Sequence, residues 1–421
     1  MLTLYLLLIQ PALVLAAPPS PTFPKHREPC LLPDTYSEVS TTTLPDPWKF
    51  IDGKPVSTAA DFTCRQREIS RIFQQFELGD LPPAPDSLTP VWAETGTSMN
   101  ITVAVGSKSV TWSVRMVPSA LDNNAAPASQ SGSAAIIALG GSLIPVPSSI
   151  HQIIFNNDEC AFQAGQGSRG RGKFYDLHGS SHSAGSLMAW AWCVGRIIDA
   201  LEQLGAAKTG INPSRLGVTG CSRNGKGAFV VGAFEKRIAL TIPQESGGGG
   251  AACWRMMNQE IQRRGRPRNC CQCGAVEPGC WSDPTLEATW FARKFNWRSI
   301  NSVPADHHFL AALVAPRGLY VIENNIDYVW PWSTTGCMKA GRMVYSGIGV
   351  QSSMGFSMIG GHNHCQFPAS GQADLFSFMD QFLLHSGRAN DVDTSQVTNS
   401  YLSSFIAGWS QAPNITHVWE F

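Results

Sequence analysis

The stretch GCSRNGKG, Gly220 to Gly227, lies between the apolar runs SRLGVT and AFVVGAF. Two chemistries use a glycine-rich turn between a strand and a helix. One is a phosphate cradle, since the letters fit G-x-x-x-x-G-K. That loop needs a Ser or Thr after its Lys to hold Mg²⁺, and Gly227 stands there instead. The other is a nucleophile turn with Ser222 at its tip, where backbone N–H groups at the start of the helix flank the hydroxyl. The usual form is G-x-S-x-G; here Asn224 occupies the second glycine position and Gly225 follows one residue later. On the tripeptide alone, an ordinary glycine-rich loop outranks a nucleophile.

A serine at its free pKa is inert, so it needs a base, and the base needs an orienting carboxylate. Downstream, LTIPQES ends a strand-like run with Glu245, and GFSMIGGHNHC carries His362 and His364. The order Ser, acid, His is that of the α/β-hydrolases. Cys221 precedes Ser222 and Cys365 follows His364. Were these two cysteines joined, their Cα atoms would stand roughly 4.4–6.8 Å apart. The bridge would staple nucleophile to base and select His364 over His362.

The elements that must position these residues are legible as alternation. AIIALGG reads as a buried strand, and His182–Leu204 as a helix with one apolar face. Leu216–Thr219 reads as a strand, Lys226–Phe234 as a helix and Ile238–Pro243 as a strand. GLYVIEN is a further strand, with helices at Cys337–Ser346 and Ala373–Leu384. The text Asn100–Val117 is strand-like, and Leu121–Ala135 reads as a polar loop. Such alternation predicts a mostly parallel sheet with helices on both faces and a ligand at the carboxyl ends of the strands.

The chain has 421 residues, 43% of them hydrophobic, with 31 acidic and 31 basic side chains. A neutral balance provides no pull toward nucleic acid or an anionic membrane. Leu4–Leu15 is apolar but too short to span a bilayer, and it ends in V-L-A followed by Ala17, so residues 1–17 read as a signal peptide and 18–421 as the mature chain. The 12 cysteines then predict disulfides in an extracellular chain. The sequons at Asn100 and Asn414 agree with export. Cys270, Cys271, Cys273 and Cys280 could suggest zinc, but secretion favours disulfides, and no metal is expected.

Taken together, GCSRNGKGA, LTIPQES, ACWR, FNNDE, GKFYDLHGSSHSAG, CVGRIIDALE and GGHNHC resemble the glucuronoyl esterases, a family of mostly fungal secreted carbohydrate esterases (carbohydrate esterase family 15), over about Cys30 to Leu384. The resemblance implies a single α/β-hydrolase catalytic domain, a three-layer sandwich needing no cofactor. It implies hydrolysis of the ester between the 4-O-methyl-D-glucuronic acid of glucuronoxylan and lignin alcohols. Ser222 is then the nucleophile, His364 the base, Glu245 the acid and Arg223 the oxyanion group, by its N–H and its guanidinium. Lys226 and Glu287 contact the sugar. The family's stacking aromatic falls at Tyr328, with Trp330 as a substitute, and aromatics around Trp330 and Trp332 could face the leaving group. Implied disulfides are Cys30–Cys64, Cys221–Cys365 and Cys253–Cys337. A monomer is expected.

Two departures stand out. Arg263–Thr285 is longer than the family's segment and unlike it, and the family's sugar-binding Gln has no counterpart there. Cys160 and Cys193 lie where the family usually lacks cysteine, and are a candidate pair. Competing readings are an acetyl-xylan or feruloyl esterase, a carbohydrate-binding homologue without turnover, and the disfavoured nucleotide loop.

Overall fold

The computed structural model describes residues 30–119, 132–164, 166–264, 289–295, 297–394, 399–413 and 415. The predicted signal peptide, the cysteines at 270, 271, 273 and 280, Glu287 and Asn414 lie outside them. The chain divides into two units, Met1–Pro33, of which residues 30–33 are described, and Asp34–Phe421, which carries every element below.

One sheet organises the second unit. Its strands are β1 (Ser87–Trp92), β2 (Ser98–Val105), β3 (Lys108–Val117), β4 (Ser133–Leu139), β5 (His151–Phe155), β6 (Ile211–Cys221), β7 (Ile238–Gln244), β8 (Gly318–Glu323) and β9 (Met354–Met358). They lie in the order β1-β2-β3-β5-β4-β6-β7-β8-β9. Pairing is antiparallel from β1 to β5 and parallel from β5 through β9.

Alternate side chains on a strand point to opposite faces, and the two cores obey this. Ala135, Ile137 and Leu139 of β4 face the larger core, shared with the helices Ser186–Leu204, Arg223–Phe234 and His308–Val314. Ala134 and Ile136 face the smaller core with Leu375, Phe378, Met379 and Phe382 of the segment 372–384. Helices therefore cover both faces, and the parallel strands are apolar almost throughout, as burial on two sides demands.

The elements agree with the sequence reading in type and order, with shifted ends, and the helix expected from His182 begins at Ser186. The helix expected at Lys226 begins at Arg223, and the helix expected at Cys337 begins at Pro331. The helix at Ser186–Leu204 is buried nearly all round rather than on one face. Even Arg196 is 8% exposed, its guanidinium 4.9 Å from the Trp192 ring centroid and paired with Asp199. That packing lies in the tertiary contacts with the helix Arg223–Phe234 and with β1, β2 and β6.

Candidate active site

The residues singled out by sequence collect at the carboxyl ends of the parallel strands. β6 delivers Ser222, which takes φ 59° and ψ −125° before the helix Arg223–Phe234 begins. A non-glycine residue in that region is strained, and such strain persists only where surrounding structure enforces it. Here Ser222 N–H donates to the Gln244 carbonyl at 2.9 Å, and Lys226 N–H closes the first helical turn on the Ser222 carbonyl at 3.0 Å. The helix starts so close to the strand that a Cβ at Gly220 would stand 2.5 Å from the Asn224 carbonyl oxygen. The missing second glycine of the motif is also explained. A Cβ at Gly225 would lie 2.4 Å from the Gln244 carbonyl oxygen, so the close helix-to-strand approach has moved one residue along. Asn224 is free to be polar and accepts from Asn157 Nδ2 at 2.9 Å.

β7 delivers Glu245, 1% exposed and again at positive φ, 44°. Its N–H donates to the Ile322 carbonyl at 2.7 Å. Its Oε2 accepts from His364 Nδ1 at 2.7 Å and from the Cys365 N–H at 3.0 Å. A carboxylate only accepts, so His364 carries its proton on Nδ1 and leaves Nε2 as the basic nitrogen. Cys221 and Cys365 form a disulfide with Cα atoms 5.8 Å apart. A ring nitrogen of His364 lies within 4.8 Å of both sulfurs, so the imidazole sits beside the residue that precedes Ser222. His362 lies nearby but outside hydrogen-bond reach of that carboxylate: its Nδ1 is 3.8 Å from Glu245 Oε1 and 3.1 Å from Asn324 Nδ2, while Nε2 donates to the Ile359 carbonyl at 2.7 Å.

A second acid stands one strand over and escaped the sequence reading. Glu323 closes β8, is 0% exposed, and accepts through Oε1 from the Ser246 N–H at 2.9 Å and the Ser246 hydroxyl at 3.0 Å. Burial first, and then the negative charge of Glu245, push its carboxyl up to about 8. Glu323 therefore holds its proton at neutral pH. The signal was available, since GLYVIEN ends in an acid as LTIPQES does, but nothing local distinguishes them.

The nucleophile-turn helix begins directly after Ser222. The N–H groups of its first turn have no partner four residues back, and Arg223 is the first of them. Its guanidinium is held, with Nη2 donating to Asp158 Oδ2 at 2.8 Å and Nη1 to the Gln163 carbonyl at 2.5 Å.

Other candidates fall differently. Lys226 is fully buried, its ammonium 4.8 Å from the Trp290 ring centroid. Tyr328 is partly exposed and meets His364 edge-on, with ring centroids 5.4 Å apart. Trp330 does not serve as an exposed substitute: it is 3% exposed, because it takes a left-handed conformation before the helix Pro331–Gly347 and turns into the larger core. Cys253 pairs with Cys337, Cys160 pairs with Cys193, and Cys30 and Cys64 are each disulfide-bonded. Asn100 lies exposed on β2. No helix among the described residues is long and apolar enough to cross a membrane.

The family model "Glucuronyl esterase, fungi" matches residues 101–349. The 4-O-methyl-glucuronoyl methylesterase of Thermothelomyces thermophilus is 49% identical over 94% of this chain and 95% of its own length. The crystal structure of a recombinant glucuronoyl esterase from Sporotrichum thermophile superposes with a TM-score of 0.83 at 49% identity, covering 92% of this chain and all of that one. A serine-to-alanine variant of the Sporotrichum enzyme, in complex with methyl 4-O-methyl-beta-D-glucopyranuronate, also gives 0.83, at 48% identity over 92% of this chain and all of that one.

Proposed function

The chain belongs to the fungal glucuronoyl esterase family, and from that premise we propose that it is a secreted serine esterase. Its substrate is the ester joining the 4-O-methyl-D-glucuronic acid of glucuronoxylan to lignin alcohols, cleaved through a Ser222–His364–Glu245 triad. Residues 1–17 are its leader, and residues 18–421 form one catalytic domain. The observation that carries the reading is the 2.7 Å contact of His364 Nδ1 with buried Glu245, next to the disulfide that ties residue 365 to residue 221.

The Ser222 hydroxyl attacks the uronoyl carbonyl carbon while His364 Nε2 takes its proton. Glu245 fixes the imidazole tautomer and stabilises the imidazolium. The tetrahedral oxyanion meets the N–H and guanidinium of Arg223, where one lost donor typically costs about 10²–10³ in kcat. His364 then protonates the departing alcohol, and the acyl bond to Ser222 remains. Water attacks that ester with His364 as base, releasing the uronic acid and restoring the serine. Lys226, Glu287 and Tyr328 are the proposed sugar contacts.

The test is hydrolysis of a benzyl ester of 4-O-methyl-glucuronic acid, with acetylated xylan and a feruloyl ester in parallel. Turnover of the glucuronate ester alone, abolished in Ser222→Ala, is expected. Preference for acetyl or feruloyl esters would reassign the substrate, and full activity of Ser222→Ala would remove the triad.

A further inference from the structure

The turn Asn157–Cys160 and the residues just after it grip the first two residues of the nucleophile helix. Asp158 Oδ2 accepts from Arg223 Nη2 at 2.8 Å, and Gln163 accepts from Nη1 twice, through its carbonyl at 2.5 Å and its side-chain oxygen at 3.0 Å. The neighbouring Asn224 is held by Asn157 Nδ2 at 2.9 Å. The grip is internally braced, because the Gln163 N–H donates to Asp158 Oδ1 at 3.3 Å. It is also anchored to the body of the protein. Cys160 is disulfide-bonded to Cys193 of the helix Ser186–Leu204, and Trp190 Nε1 of that helix donates to the Ala161 carbonyl at 2.9 Å. Gln163 is 3% exposed, whereas the Arg223 side chain is 37% exposed. The guanidinium is thus clamped on one side and open on another.

A free arginine side chain samples many rotamers, and stabilisation of a developing charge depends on donors fixed before the reaction begins. A charge-assisted pair to Asp158 with two more acceptors on Gln163 satisfies that condition. We propose that Asp158, supported by Gln163, is a positioning residue for the hydrolysis, holding the Arg223 guanidinium beside Ser222. The proposal rests on the reading of Arg223 as the oxyanion group, and its test separates the two.

The experiment measures kcat and KM on the benzyl glucuronate ester for Asp158→Asn, Asp158→Glu, Arg223→Ala and the double variant Asp158→Asn/Arg223→Ala, each with a thermal melt. In Asp158→Asn, kcat is expected to fall about tenfold, part of the 10²–10³ that loss of a donor costs, with KM within about twofold because the contact serves the transition state. Asp158→Glu, which keeps the charge, recovers part of that loss. In the Arg223→Ala background Asp158→Asn costs less than about twofold, since both act through one group. Equal losses in both backgrounds, a change confined to KM, or a wild-type kcat in Asp158→Asn with Arg223→Ala impaired would overturn this proposal alone. A wild-type kcat in Arg223→Ala would overturn the oxyanion reading and this one with it. Should Asp158→Asn not fold, Gln163→Ala replaces it, with a smaller fall in kcat expected and the same dependence on Arg223.

Discussion

The two halves of the sheet are built from the same backbone yet carry different duties. β1 alternates between exposed and half-buried side chains, β2 and β3 set buried residues between exposed or half-buried ones, and Asn100, Thr102 and Thr111 lie on the less buried face there. β8 and β9 have no exposed residue, and β6 is buried from Leu216 to Cys221. A half-solvated antiparallel strand can hold polar groups anywhere along one face. A strand covered on both sides has no solvated face for ionisable groups, so they gather where it ends. That is where Ser222, Glu245 and Glu323 stand, each directly after or closing its strand. Glu245 and Ser222 both take positive φ, as does Cys365 beside His364. The proposed chemistry thus lies on a rim with positive-φ residues and a disulfide, features that β1, β2 and β3 lack.

This contrast can be broken in steps. The largest effect belongs to Ser222→Ala or His364→Ala, each expected to lower kcat on the glucuronate ester by about 10⁵–10⁶-fold with an unchanged melting temperature. Substantial residual turnover would mean that the parallel rim is not where the reaction occurs. Next, Cys221→Ser/Cys365→Ser opens a bridge across 144 residues of chain. A loss of about 2–5 kcal/mol is expected in denaturant titration, together with a fall in kcat as His364 loosens. Retained stability with full activity would show the staple to be dispensable.

The third test concerns Glu323, whose carboxyl lies at about 8 against an ordinary 4.5. Below pH 4.5 folded and unfolded chains both hold its proton. Between 4.5 and about 8 only the folded chain does, so its contribution to stability falls as pH rises through that window and is gone above it. Glu323→Gln should flatten this part of the pH profile of the melting temperature; an unaltered slope would contradict the protonated state. The smallest effect is expected at the antiparallel edge. Asn100→Gln should change stability by no more than about 0.5 kcal/mol and leave kcat alone, and a larger kinetic effect would erase the contrast between the halves.

Much of this was legible in the chain. Apolar runs of strand length alternating with helical spacing specify a parallel sheet under two helical layers, because that is how such strands bury both faces. The same reading found the serine turn, since a strand, a glycine-rich corner and a helix follow one another locally. The aromatic choice at 328 or 330 was not legible. The two residues are two apart on one turn, and only the tertiary packing leaves Tyr328 partly exposed while it buries Trp330 in the larger core.

The pairing of distant residues likewise needed three dimensions. Glu245 and Glu323 end neighbouring strands with similar local text, and His362 and His364 are two residues apart. What selects Glu245 and His364 is their meeting in space: 119 residues apart in sequence, they stand at 2.7 Å although β8 separates β7 from β9. Local sequence determines which residues can react and on which kind of turn they ride. The long-range stacking of strands decides which of them meet, because hydrogen bonding between strands fixes neighbours that the chain itself keeps far apart.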